Sequence, residues 1–121
     1  MDNGLEVVRG QTHGRTVLLR ARGRLDAKTA PTLLEHTRKF VGMGRNLVLN
    51  LSEVTFLGSS GVGVLLAIAQ AFQDGDGALR LVAPSAAVVS VVRLLNLETF
   101  LRIDATEDEA IAAIAGLDRA A

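Results

Sequence analysis

The chain has no cysteine, tryptophan or tyrosine, only two prolines and two histidines, and no excess of either charge. Each shortage removes a class of function. Without cysteine there are no disulfides, no thiolate nucleophile and no sulfur-bound zinc, and the redox compartment stays open. Four phenylalanines are the whole aromatic complement, so a base-stacking surface for single-stranded nucleic acid has nothing to be built from. Thirteen Lys and Arg are matched by thirteen Asp and Glu, so no net field draws the chain to nucleic acid or to an anionic membrane. His13 and His36 read as a turn residue and a solvated helix residue rather than a metal pair. No cofactor or metal site is expected. The longest nearly unbroken apolar run, Val62 to Ala69, falls well short of the roughly 20 residues of a spanning helix. The opening "MDNGLEVVRG" lacks the charged-then-apolar pattern of a signal peptide, so a cytoplasmic location is expected. Asn50-Leu51-Ser52 matches a glycosylation sequon and reads as coincidence at a strand end.

What is present suits one domain over residues 1–121, with 49% hydrophobic residues to bury. Residues 5–10 and 15–22 read as strands joined by the turn "QTHG". In the second, Val17, Leu19 and Ala21 share one face, and Leu18, Arg20 and Arg22 the other. After "GRLDAKTAP", where Pro31 fits only a first helical turn, Leu33, Leu34, Thr37, Phe40 and Val41 recur at helical spacing as far as "GMG". "RNLVLNL" is a third strand, with Leu47, Leu49 and Leu51 opposed to Asn46, Val48 and Asn50. Residues 62–72 form a helix apolar nearly all round, closed by "DGDG", and such a helix belongs inside. "ALRLVA" is a fourth strand. Ser85 is expected to cap a helix from Ala86 to Leu95, with Val88, Val91, Val92 and Leu95 inward and Asn96 as its stop. A short strand near Leu101 to Ile103 precedes a last helix. Its T-x-x-E start, Thr106 and Glu109, is a capping box, and Ile111, Ile114 and Ala115 point inward. An opening strand pair followed by β-α alternation implies a two-layer α/β fold with a mixed sheet of about four to five strands. Each strand keeps one polar face, so about four helices are expected to cover one side of the sheet only.

The stretch "TFLGSSGVGVLL", residues 55–66, puts two serines between glycines where a strand gives way to the apolar helix. A serine nucleophile needs a base in reach; the stretch is G-S-S-G rather than a G-x-S-x-G elbow, and His36 on another helix is a poor base. Gly58, Gly61 and Gly63 have the spacing of neither a dinucleotide fingerprint nor a P-loop, and no Lys follows. Gly61 and Gly63 in a first helical turn each cost about 1 kcal/mol against Ala, so something requires bare backbone there. Two readings stay open. The glycines expose the helix amides to another protein or a phosphate, or they only allow tight packing with a serine as N-cap. A phosphoserine would carry about −1.5 to −2 charges where amides and the helix dipole tolerate an anion. The fold would then survive what a docked partner would not.

The chain resembles a STAS domain, the module shared by sulphate transporters and anti-sigma factor antagonists, and in particular the free-standing bacterial antagonists. "GRLDAKTAP" is similar to the family's G-E-L-D-x-x-T-A-P, and "LVLNLSEVTFLGSSGVGVLL" to its D-L-S-x-V-x-F-x-D-S-S-G-L-G-V-L core. "LRLVAPSAAVVSVVRLLNLETFLRI" is similar to its closing strand-helix-strand. The resemblance implies a STAS-like two-layer fold and partner switching. The unphosphorylated antagonist binds an anti-sigma factor that is also a serine kinase, which frees the sigma factor, and phosphorylation breaks the complex. ATP belongs to the kinase, so the chain itself is not expected to be an enzyme; a serine phosphatase is a further implied partner. The family's phosphoserine falls on Ser60, with Ser59 as the alternative, and the partner-binding set on Arg24, Asp26, Gly58, Ser59, Ser60, Gly61, Val62 and Gly63. Gly58 stands where the family has Asp, and Arg24 where it has Glu. The resulting shift toward positive charge predicts a partner with an acid opposite Arg24. An alternative is a constitutive STAS interaction or scaffold subunit of a transport or stress-signalling complex, the serines merely capping the helix. A lipid or small ligand in a crevice between sheet and helix is a third reading, with no residue set behind it.

Overall fold

The computed structural model describes residues 4–82 and 86–120, with side chains as far as residue 116. Ser85 and Ala83, given a helix cap and a strand end above, lie outside the described residues. The chain runs β1 (Leu5–Arg9), β2 (Thr16–Leu25), α1 (Ala30–Arg38), β3 (Asn46–Leu57), α2 (Ser59–Asp74), β4 (Leu79–Val82), α3 (Ala86–Leu94), β5 (Ile103–Asp104) and α4 (Glu107–Ala120). The strands lie side by side in chain order; β1 and β2 are antiparallel and every later pair is parallel. The pattern reading of a mixed α/β sheet holds. Two boundaries move in ways that matter later: β3 continues to Leu57, and α2 starts at Ser59 rather than Val62. Thr29 takes the N-cap position of α1 and Pro31 falls in its first turn, where its missing N–H costs nothing.

The main core lies on the sheet face that carries Val17, Leu19, Leu47, Leu49, Leu51 and Leu81. Leu33 of α1, Leu65, Ile68 and Phe72 of α2, and Val88 and Val92 of α3 cover it. Leu65 and Phe72 are fully buried, as a helix apolar nearly all round requires. Phe40 and Val41 lie beyond the end of α1 yet still pack on this core. Leu95, expected inward, is exposed, because α3 stops one residue earlier and Asn96 turns the chain at φ 56.

The expectation that all helices share one face is corrected by α4, which packs on the opposite face. That face is not wholly polar. Leu18 and Val48 pair across β2 and β3, Val82 follows on β4, and Ala110 and Ile114 of α4 bury this strip. Ala115, expected inward, is exposed, and Ala110 takes its place. The helix start is capped much as the T-x-x-E pattern foresees. The Glu109 amide donates to the Thr106 hydroxyl at 3.1 Å, and the Glu109 carboxylate accepts from the Ala105 amide at 3.2 Å.

Polar residues of the same sheet face fasten α4 at its first residue. Arg20 grips the Glu107 carboxylate with two hydrogen bonds of 2.8 Å, and the Asn50 amide donates to it at 2.7 Å. The Arg20 hydrogen bonds pull the Glu107 pKa below the usual carboxylate range; partial burial works against them and the Asn50 amide with them. Next to this clasp, Arg80 and Asp104 form a second two-pronged pair at 2.8 Å that ties the two-residue β5 to β4.

Because the folded-state pKa of Glu107 is depressed, its contribution is full above about pH 4.3, the unfolded value, and is lost as pH falls through the lower folded value. Urea unfolding of Glu107→Gln at pH 7 is expected to show a loss of about 1 to 2 kcal/mol, between the figures for exposed and charge-assisted pairs. The gap to the wild type should shrink as pH drops below about 4. A gap independent of pH would show that the clasp does not act through the Glu107 charge.

Candidate functional site

Parallel pairing of β2 and β3 brings their carboxyl ends together, and with them two sequence stretches some thirty positions apart. The Gly58 amide donates to the Leu25 carbonyl at 3.0 Å, so "GRLD" and "GSSG" meet directly. In open α/β sheets, crevices and binding surfaces form at this end of the strands. The register reaches this point through two irregularities, between Arg20 and Arg22 and between Gly23 and Arg24, and ends with Arg24 opposite Phe56 and Leu25 opposite Leu57. Such bulges re-aim side chains near sites. Asn50 supports the first, accepting from the Ser52 amide at 2.9 Å and from its hydroxyl.

The loop after β2 is tied from within. The Thr29 hydroxyl donates to the Arg24 carbonyl at 2.8 Å and accepts from the Asp26 amide at 3.0 Å. Asp26 accepts from the Lys28 and Thr29 amides at 3.1 and 3.2 Å. Burial works to raise the Asp26 pKa, but the Thr29 and Lys28 amides, the Thr29 hydroxyl and Arg24 outweigh it and hold the carboxyl below its ordinary value. Asp26, expected to meet a partner, is therefore largely committed to shaping its own loop.

Arg24 is the more available group. Its guanidinium lies 3.5 Å from the Asp26 carboxylate and stacks 4.2 Å above the Phe56 ring, which is 40% exposed. A cation over a ring is held in place while its edge keeps hydrogen-bonding capacity. Sequence reading missed Phe56. The residue stands at the Phe of the quoted V-x-F stretch, but its pairing with Arg24 depends on where the bulges fall.

The two glycines of the helix start differ in their surroundings. Gly61 is buried, and a Cβ there would sit 2.7 Å from both the Leu25 carbonyl oxygen and Leu57 Cδ1, so packing demands glycine. Gly63 is exposed with nothing within 4 Å of a would-be Cβ, so packing demands nothing. The N-cap is Gly58, in an extended conformation at φ −91 and ψ 176 with no side-chain cap, and neither serine takes that role. Ser59 and Ser60 lie in the first turn, both exposed. Their amides and that of Gly61 precede the first helical bond, from the Val62 amide to the Gly58 carbonyl at 3.0 Å, and have no acceptor within the helix. Val62, placed with the partner-facing residues by the sequence, points into the core instead. The surface that remains is Ser59, Ser60 and Gly63, with Arg24 and Phe56 beside it. No charged residue occurs on α2 before Asp74.

His13 lies in the turn between β1 and β2, and the His36 ring nitrogen is 2.9 Å from the Thr32 carbonyl on α1. Among the described residues no cluster of His, Asp and Glu could hold a metal, and no helix is long and apolar enough to cross a membrane.

The STAS domain family model matches residues 8–110. An anti-sigma factor antagonist from Mycobacterium paratuberculosis is similar at 27% identity and a TM-score of 0.81, over 92% of this chain and 94% of its own. The anti-sigma factor antagonist SpoIIAA in its unphosphorylated form is similar at 26% identity and a TM-score of 0.75, over 92% and 97%. The phosphorylated form of SpoIIAA, described as a Bacillus cell fate determinant, shares the fold at 24% identity and a TM-score of 0.69, over 90% and 99%. With its sheet order, its joined strand ends and a match spanning most of its length, the chain belongs to the STAS domain family.

Proposed function

We propose that the chain, acting as one domain over residues 1–121, is an anti-sigma factor antagonist. Unphosphorylated, it docks through the first turn of α2 on an anti-sigma factor of the serine-kinase type and so releases the sigma factor. Phosphorylation of Ser60, or of Ser59 in its place, ends the docking, and a serine phosphatase restores it. ATP is held by the kinase, so this chain contributes no cofactor site and acts as substrate and ligand in the cytoplasm. The observation that carries the reading is the pair of exposed hydroxyls on an uncapped first turn, at the head of a helix without charge until Asp74. The relative SpoIIAA, described in its unphosphorylated form, supports it.

The same turn explains why a phosphate would act as a switch rather than as damage. Unpaired amides and the positive end of the helix favour an anion, so the fold keeps its stability. A partner surface laid over that turn meets the new dianion partly desolvated. A penalty of about 3 to 4 kcal/mol there weakens binding several hundredfold.

The two departures from the family pattern lie close together. Phe56 leans so close to the N-cap that a Cβ on Gly58 would lie 3.1 Å from Phe56 Cε2. A side chain at position 58 would thus press on the ring that Arg24 stacks on, which would have to give by a few tenths of an ångström. Arg24, Phe56 and Gly58 form one cationic shoulder beside the serines. It fits a partner carrying a carboxylate where the family's partners would meet acids.

Titration calorimetry against the cognate kinase-type anti-sigma factor tests the reading. Ser60→Asp should weaken binding by about tenfold or more, and Ser60→Ala should stay within about threefold while ending phosphate incorporation at that position. Arg24→Glu should cost about tenfold. Equal binding by wild type, Ser60→Ala and Ser60→Asp would favour a constitutive scaffold instead. The two glycines separate fold from docking. Gly61→Ala should lose about 1 to 3 kcal/mol in urea unfolding through overpacking. Gly63→Ala should gain up to about 1 kcal/mol in stability yet weaken docking. A Gly63→Ala variant that binds as well as wild type would remove that part of α2 from the interface.

A further inference from the structure

Three large apolar side chains project from the corner where α3 leads toward β5: Leu94 is 81% exposed, Leu95 50% and Phe100 68%. A single exposed leucine needs no explanation, whereas a cluster does. The turn that carries them is well fastened. The Leu97 amide donates to the Val92 carbonyl at 3.0 Å and the Leu101 amide to the Leu97 carbonyl at 2.8 Å, while Leu97 and Leu101 pack on the core. The apolar groups are thus held toward water by a rigid frame.

On one side of the turn a groove of about 380 Å³ separates it from the later part of α2, with Leu66, Ala69, Thr99 and Phe100 among its walls. On the other side a crevice of about 290 Å³ is lined in part by Arg93, Glu98 and Arg102. Among the described residues none of these three charges takes part in an ion pair, whereas Arg80 in the same crevice is spoken for by Asp104. The corner therefore carries a knob, a hole and unpaired charges of both signs. A patch of one sign would suit a membrane or a nucleic acid. A patch that contains its own complement suits a two-fold contact, in which residue i meets j while j meets i.

We propose that this corner is the contact surface of a homodimer. Leu94 of each copy enters the groove beside Phe100 of the other, and Glu98 of each faces the Arg93 and Arg102 side of the other. The groove lies toward the far end of α2 from Ser59 and Ser60, so the inference stands apart from the docking proposed above, and both surfaces can be occupied at once.

Sedimentation velocity of the full chain across the micromolar range tests it by mass alone, with no kinase or other partner present. The wild type should pass from the mass of one copy to that of two as concentration rises. Phe100→Asp should weaken association by about thirtyfold or more. Glu98→Arg, which leaves three like charges on the patch, should weaken it by about tenfold, and Arg93→Glu combined with Arg102→Glu should do the same. Mixing these two charge variants should restore a dimer, an outcome that misfolding cannot produce. A wild type that stays at the mass of one copy, or a dimer indifferent to all these changes, overturns the proposal. So does a wild type of one-copy mass that instead binds phosphatidylglycerol vesicles through Phe100.

Discussion

One backbone hydrogen bond, from the Gly58 amide to the Leu25 carbonyl, fixes the relation on which the site depends. It holds the carboxyl ends of β2 and β3 against each other and starts α2 at a set distance from the loop after β2. Gly61 protects the same contact, since any side chain there would push α2 away from Leu25. With these positions set, Arg24 and Phe56 come to stand beside Ser59 and Ser60, and two stretches of sequence become one surface. The packing core does the rest from below. Val62 and Leu65 anchor α2 inward, so its first turn must present whatever side chains alternate with them.

The fold was largely legible because its strands alternate cleanly and its helices carry one apolar stripe each. Leu47, Leu49 and Leu51 against Asn46, Val48 and Asn50 gave β3 its faces, and Asn96 its role as a stop could be read from residue type alone. The second layer was not legible, for a specific reason. The strip under α4 is built from single apolar residues on strands that otherwise carry Arg20, Arg22 and Asn50 on that face, and only the register aligns Leu18 with Val48. Strand-by-strand reading scores such a face as wet. The clasp on Glu107 was hidden likewise, since its three members come from β2, β3 and α4.

At the site, the serines were found by their place between strand and helix, but their surroundings were not. The apolar pattern marked the helix over residues 62–72, whereas α2 already includes both serines. Residue type could not separate the duties of Gly61 and Gly63; only the distance to the Leu25 carbonyl does so. Asp26 looked like a docking residue from its motif, and its bonds to the Lys28 and Thr29 amides give it a local task as well. A D-x-x-T spacing just ahead of a helix is the signal that could have shown this. Phe56 falls on the Phe of the core motif, but its contact with Arg24 was hidden, because that partner is chosen by two bulges that sequence patterns do not mark.

The proposed switch requires a first helical turn that can take a dianion without disturbing the body beneath it. The amide NMR spectrum of the chain before and after phosphorylation by the proposed kinase partner measures this most directly. Shifts should be confined to Gly58 through Gly63 and the neighbouring Arg24 to Thr29, with the sheet and the α4 clasp unmoved. Shifts spread through β3, β4 and α4, or a chain that takes up no phosphate at either serine, would contradict it.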